Sequence, residues 1–263
     1  MNTKTPDKAF ILAAGLGTRL RPYTNDRPKP LVKVAGKTLL DRTLDHLCAA
    51  NIHDITANTH YLPDQIKTTL NARTDIAAHI SHEPELLDTG GGIKKMLHRF
   101  DAPFYVLSGD GLWDNAGDQN TLQDMAAAWN PDTMDILIVL QPVSTMTLTK
   151  GIGDYDLDKN GRAIRAMDKT GQYMFTSMRI NHPRIFDQTP DGAFSYLDLL
   201  DKAQQNGRLY GMIHRGDWHH ISTPDDLETV DEFYQKRSST CAKAQDITTK
   251  QKDPAAKPQD DSH

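Results

Sequence analysis

Cysteine is nearly absent from this chain: Cys48 and Cys241 are its only 2 in 263 residues. Two thiols cannot build a disulfide framework or a four-thiolate zinc site. Long apolar runs are missing as well. None approaches the roughly 20 residues that a membrane span needs, and the opening MNTKTPDKAF lacks the apolar core of a secretory leader. Nor is there an excess of positive charge. The 30 Lys and Arg stand against 35 Asp and Glu, a net charge of −5, which argues against a nucleic-acid binder working through a broad basic face. A small anionic substrate is still allowed, because it needs only a few placed cations. No internal repeat is present, so a solenoid is not expected. From these absences we expect a reducing, cytoplasmic setting with neither membrane nor nucleic acid as partner. Oligomeric state is not legible.

What is present is the patterning of an α/β protein. The length and the 38% hydrophobic content suit one large α/β domain or two small ones. Ala9-Phe10-Ile11-Leu12-Ala13 is short, uniformly apolar and followed by glycine, as for a strand buried on both faces. Leu39, Leu40, Leu44, Leu47 and Ala50 recur at helical spacing. Further strands are predicted at 54–58, 76–81, 104–107 and 134–140, with helices at 63–70, 91–98 and 121–129. Such alternation predicts a mainly parallel, Rossmann-like sheet with helices on both faces. Beyond Gly153 the character changes: Asp158-Lys159-Asn160-Gly161 reads as a hairpin turn. Strands are expected near 174–180 and 209–213, and helices at 196–204 and 224–234. The expected folded unit is 7–236, with a first half to about 150 and an inserted, substrate-side subdomain from about 151. Residues 237–263 have no aromatic and one large aliphatic, Ile247, and are expected to be a disordered tail.

The first strand runs into Ala14-Gly15-Leu16-Gly17-Thr18-Arg19-Leu20-Arg21-Pro22. Ligands of open parallel sheets bind beyond the carboxyl ends of strands, where this loop must lie. Glycines let the backbone approach a ligand closely, and successive N–H groups form an anion-binding nest. A dinucleotide fingerprint would need a third glycine where Leu20 stands, and a Walker loop needs Gly-Lys-Ser/Thr, which is missing. A glycine turn without a ligand is the bland alternative. Against it, Arg19, Arg21 and Lys29 follow closely, and Pro28 and Pro30 fix the backbone around the lysine. Cations converging on a glycine loop suit a triphosphate.

LAAGLGTRLRPYTNDRPKPLVKVAGKTLL resembles the opening motif of the sugar-1-phosphate nucleotidyltransferases, and the resemblance extends over roughly 10–233. It implies a nucleotide-binding α/β fold and a reaction that joins a nucleoside triphosphate to a sugar 1-phosphate, releasing pyrophosphate. By that likeness Ala13, Ala14, Gly15, Gly17 and Thr18 cradle the nucleotide. Arg19 holds the β- and γ-phosphates, and Lys29 lies near the α-phosphate and the sugar phosphate. Glu83-Pro84-Glu85-Leu86-Leu87-Asp88-Thr89-Gly90-Gly91-Gly92 extends the match, with Glu83, Thr89 and Gly90 as nucleotide contacts at a helix start. Val106-Leu107-Ser108-Gly109-Asp110 ends a buried strand in a carboxylate. Beside a triphosphate loop, Asp110 is a natural Mg²⁺ ligand, since Mg²⁺ takes one or two carboxylates plus phosphate oxygens and water. Its alternative is a helix cap.

LLDTGGGI, SGDGLWDN, FTSMRINHPRIF and RGDWHHISTPDDL look most like the uridylyl-transferring branch that acts on N-acetylmuramate 1-phosphate with UTP in cell-wall recycling. Mannose- and heptose-1-phosphate guanylyltransferases are the nearest alternatives. One departure stands out. The family's closing Trp-x-Asp-x-Gly-Thr places a second metal carboxylate where this chain has His220. Imidazole suits Mn²⁺ better than Mg²⁺, so Mn²⁺ is expected beside Mg²⁺, and a catalytically silent binding protein is the alternative. Asp217, three residues away, faces the other side of an extended strand. Lys33, where proline is common, only adds charge. On the sugar side, Gly153, Asp154, Thr176 and Ser177 match substrate positions by resemblance. Asp154 suits a sugar hydroxyl or a turn.

Overall fold

The computed structural model describes the backbone of residues 5–251 and the side chains of residues 5–240. In chain order the elements are β1 (Lys8–Leu12), β2 (Lys33–Val34), β3 (Lys37–Thr38), α1 (Leu39–Ala49), β4 (Asp54–Thr59), α2 (Pro63–Asn71), β5 (Ala77–His82), α3 (Asp88–Lys95), β6 (Phe104–Ser108) and β7 (Leu112–Trp113). There follow α4 (Thr121–Ala128), β8 (Ile136–Pro142), β9 (Tyr155–Leu157), β10 (Ala163–Arg165), β11 (Tyr173–Asn181), α5 (Tyr196–Gln205), β12 (Leu209–Ile213), β13 (Trp218–His219) and α6 (Pro224–Gln251). The expected strands and helices form within one or two residues of their predicted limits, except that α3 starts and ends three residues earlier than expected and α6 runs beyond 234. The β2–β3 hairpin and the β7–β13 pair were not expected; at two residues each they are too short to carry a periodicity.

One nine-stranded sheet organises the molecule, running β10-β9-β11-β6-β1-β4-β5, with β8 on β11 and β12 on β8. Strands β6, β1, β4 and β5 are mutually parallel, whereas β11 is antiparallel to β6 and to β8. The sheet is therefore mixed: parallel through the first half, antiparallel where the second half joins. The expected boundary near 150 does not interrupt it, since β11 pairs directly with β6.

Alternation of side chains along β1 explains the two main cores. Ala9 and Ile11 pack with Leu40, Leu44 and Leu47 of α1 and with Ile66 and Leu70 of α2. Phe10 faces the other side with Val106, Ile138, Tyr196 and Leu199. A third core joins Leu20 of the opening loop to Leu227, Val230 and Tyr234 of α6. Leu20, which denies the loop a third glycine, is thus a fully buried anchor.

The C-terminal helix corrects one expectation. Residues 237–251 continue α6 as helix rather than forming a structureless tail. No proline or glycine interrupts them, and a helix already docked can propagate through polar residues at little cost. The compositional inference about burial holds among the described residues, because Tyr234 is the last buried side chain. The rest of the expected tail, 252–263, lies outside the described residues.

At the start of β8, Asp135 is a junction between halves. Its Oδ1 accepts from Arg184 Nε at 2.6 Å and Arg208 Nε at 2.8 Å. Burial works to raise its pKa, but the two guanidiniums outweigh it and hold the carboxyl below the ordinary value. A depressed carboxylate pKa stabilises the fold above the unfolded pKa and ceases to as pH falls through the folded one. Asp135→Asn is expected to cost about 1–3 kcal/mol at pH 7, measured by urea denaturation. The gap to wild type should close progressively below about pH 5.

Candidate active site

Where the parallel strands end, a cavity of about 700 Å³ opens between the glycine loop, the start of α3, the end of β6, the middle of β11 and the start of α5. Its floor is tied by a buried chain of hydrogen bonds. Ala13 N–H donates to Asn58 Oδ1 at 2.8 Å. Asn58 Nδ2 donates to Glu83 Oε1 at 2.8 Å, and Leu87 N–H to Glu83 Oε2 at 3.1 Å. Glu83 is 1% exposed, so both carboxylate oxygens are spent on holding the loops after β1 and β5 together. Asn58 escaped the sequence reading because it is one of several polar residues in β4, DITANT, and nothing in its type sets it apart from Thr56 and Thr59.

The opening loop keeps its backbone facing the cavity through Gly17, which has φ +63. Thr24 Oγ1 donates to Gly17 O at 2.8 Å and closes the loop from behind. A Cβ on Gly17 would meet Thr24 Cγ2 at 3.1 Å and Lys29 Cβ at 3.2 Å. Position 17 is therefore restricted by conformation and by space.

Lys29, in a short 3-10 turn (Lys29–Leu31) after Pro28, reaches Asp110 Oδ2 at 2.5 Å. Both side chains are mostly buried, 17% and 24% exposed, and both line the cavity. The Ser108 hydroxyl donates to Asp110 Oδ1. Burial pushes the Asp110 pKa up; the Lys29 ammonium and the Ser108 hydroxyl overcome this and keep the carboxyl below its ordinary value. Asp110 is thus an ionised, acceptor-only group. His220 donates its backbone N–H to Thr149 Oγ1 at 3.0 Å, and its ring lies tilted against Trp218. Burial, Lys29 and Arg19 all lower its pKa, against Asp226 and Asp110. The ring is neutral at neutral pH, the form in which imidazole ligates a metal.

Among the described residues no group of three or more His, Cys, Asp or Glu is placed to hold a metal ion. A protein-built cage is therefore missing. Asp110 lines the cavity and His220 is not among its lining residues; a carboxylate and a neutral imidazole are donor types that a divalent ion completed by phosphate oxygens and water could take.

Of the residues singled out from sequence, Ala13, Ala14, Gly15, Gly17, Lys29, Glu83, Thr89, Asp110 and Ser177 line the cavity. Thr18 and Arg19 are exposed beside it. Others are committed to the fold. Gly90 donates its N–H to Phe194 O at 3.0 Å, and a Cβ there would lie 2.4 Å from the Phe194 ring. Asp154 pairs with Lys169 at 2.8 Å and accepts from Phe175 N at 3.3 Å. Gly153 bridges to Thr170, and Thr176 Oγ1 donates to Val139 O at 2.8 Å. Instead, Phe175, Arg179 and Tyr196 face the cavity. Arg179 carried a signal that went unread, a cation between Met178 and Ile180 inside a predicted strand.

A family model described as nucleotidyl transferase matches residues 8–237. The chain belongs to that family. It is 37% identical over 231 residues to the N-acetylmuramate alpha-1-phosphate uridylyltransferase of Caulobacter vibrioides, covering 84% of this chain and 94% of the relative. The enzyme of the same name from Neisseria meningitidis is 30% identical over 223 residues, covering 82% and 93%. Mannose-1-phosphate guanyltransferase beta-A of Xenopus laevis is 28% identical over 235 residues, covering 84% of this chain and 63% of the relative. The fold is shared with HddC from Yersinia pseudotuberculosis complexed with GMP-PN, at TM-score 0.70 and 24% identity over 86% of this chain and 99% of that one. The chain is therefore a sugar-1-phosphate nucleotidyltransferase. No helix among the described residues is long and apolar enough to cross a membrane.

Gly90→Ala is expected to lose about 1–3 kcal/mol of stability through overpacking against Phe194, read from denaturant midpoints. A glycine conserving space only for a base would leave the free protein's stability unchanged.

Proposed function

We propose that this enzyme transfers a uridylyl group from UTP to N-acetylmuramate 1-phosphate, forming UDP-N-acetylmuramate and pyrophosphate for cell-wall recycling. The observation that carries the transfer chemistry is the Lys29–Asp110 pair at 2.5 Å beside the glycine loop. It sets a cation and an ionised acid on one wall of a cavity sized for a nucleotide and a sugar. Support for the base and the sugar comes from the two uridylyltransferases, similar over more than nine-tenths of their own lengths.

The reaction is an in-line displacement. A phosphate oxygen of the sugar 1-phosphate attacks the α-phosphorus, the bond to the β-phosphate oxygen breaks, and pyrophosphate leaves. The nucleophile is already ionised near neutral pH, so no general base is required. The obstacle is repulsion between two anions, and catalysis is positioning plus charge neutralisation. Lys29 stands ready to pair with the reacting phosphates, and Arg19 at the loop's outer edge with the departing pyrophosphate. Asp110 and His220 would hold the divalent ion the family uses, proposed here as Mg²⁺ or Mn²⁺. When bound, that ion supplies positive charge between the two phosphates.

A silent nucleotide-sugar binding protein is the second reading, favoured only by His220 standing where a carboxylate is usual. Pyrophosphate release should be measured for UTP, GTP, CTP and dTTP against muramate, mannose and heptose 1-phosphates. UTP with N-acetylmuramate 1-phosphate is expected to dominate; dominance of GTP with mannose 1-phosphate would replace this specificity, and silence throughout would favour the second reading. Arg19→Ala and Asp110→Ala should each lower turnover by about 10²–10³. Mn²⁺ should exceed Mg²⁺ at saturating metal, and equal or lower turnover with Mn²⁺ would count against direct ligation by His220.

A further inference from the structure

Strand β11 is irregular where it borders the cavity. Phe175 lies opposite Leu140 and Arg179 opposite Ile138 on β8, so Thr176, Ser177 and Met178 share the single position of Val139. Ser177, at the crest, has φ +67, a conformation that costs a non-glycine residue energy. Bulges of this kind re-aim a neighbouring side chain. Here that side chain is Arg179, which lines the cavity.

Its surroundings are unusual for a charge. Arg179 is only 3% exposed, and among the described residues no carboxylate lies within ion-pair distance of it. The guanidinium lies 3.8 Å over the Tyr196 ring and 5.9 Å from that of Phe175. The Tyr196 phenol donates to Asn181 Oδ1 at 2.5 Å and, being neutral, supplies no counter-charge to the guanidinium. Nη1 donates to Ser177 O at 3.2 Å. Nε and Nη2 have no partner at all.

A buried charge without a counterion is strongly destabilising, so a partner is to be expected from outside the chain. The free pair defines which. Nε–H and Nη2–H are the two parallel donors on one edge of the guanidinium, the fork that matches the two oxygens of a planar carboxylate. None of the acids that share the cavity pairs with it: Glu83 accepts from Asn58 and Leu87, Asp110 from Lys29 and Ser108, and Asp88 from Thr89. On the proposed reading the reacting phosphates have their own cations in Lys29 and Arg19.

We propose that Arg179 receives a carboxylate carried by the sugar ring of the sugar 1-phosphate, making it the residue that selects an acidic sugar over its neutral counterpart, an inference that rests on the sugar 1-phosphate reading above. The Tyr196 ring supports the guanidinium at 3.8 Å, and the bulge at Ser177 lies two residues before Arg179 on the strand that borders the cavity. In N-acetylmuramate 1-phosphate the carboxylate is that of the lactyl ether. N-Acetylglucosamine 1-phosphate is the same sugar phosphate without it.

The test compares these two sugar phosphates, each with UTP, on the full chain and on Arg179→Met and Arg179→Lys. Wild type is expected to favour the acidic sugar by on the order of 10²-fold in kcat/KM, mainly through KM. Arg179→Met should collapse that preference to within a fewfold, and Arg179→Lys, a point charge without the fork, should fall between. Removing an unpaired buried charge should leave the melting temperature of Arg179→Met at or above wild type. If that variant does not fold, Arg179→Lys decides. An unchanged acid-to-neutral ratio in the variants overturns the role of Arg179 while leaving the proposed function standing. Wild-type turnover of neutral sugar phosphates alone also overturns it, with nucleotidyl transfer intact. Wild type inert toward every sugar phosphate sinks both.

Discussion

The site depends on a buried chain of hydrogen bonds that joins three strand ends. Ala13, Asn58 and the Glu83–Leu87 segment lie far apart in sequence, yet each satisfies a donor or acceptor that the others leave open. In a low-dielectric interior such groups are costly unless paired, so the chain locks its members into one arrangement. The position of the glycine loop relative to α3 follows from it. Gly92 shows how tight the arrangement is, since a Cβ there would approach Glu83 Oε1 to 2.6 Å.

Around that frame, cations are placed with different degrees of satisfaction. Lys29 already has Asp110, Arg19 has solvent, and Arg179 has two donors with nothing to bind. This gradation runs from stability toward function. A pair such as Lys29–Asp110 adds little net stability once desolvation is counted, and an unpaired buried guanidinium subtracts from it. Charges retained at that cost are understandable if the energy is recovered when anions arrive. On the proposed reading, two phosphates and a carboxylate enter the same cavity, each to a cation of its own.

Much of the fold was legible. Period-two and period-3.6 patterns located nearly every strand and helix, because burial on one or two faces imposes those periods directly. The helical part of 237–251 was not legible, since its composition carries no burial signal and its conformation is inherited from the docked turns before it. The cavity's glycine-loop side was easier to anticipate than its other side. The glycine loop and the strand-end acid are chemically distinctive short segments. Gly153, Asp154 and Thr176 instead form a bridge, an ion pair with Lys169 and a hydrogen bond to Val139, contacts that residue type alone does not announce.

The sequence by itself determined the alternation of elements, the loop that must sit beyond the first strand, and the cations that accompany it. These are local properties, encoded in residue type and spacing. Only the tertiary structure decided that Lys29 meets Asp110, that both oxygens of Glu83 are occupied, and that Arg179 is buried without a counterion. Each of these is a statement about which groups lack water and which partner replaces it. That depends on contacts between residues tens of positions apart, which no pattern along a single chain contains.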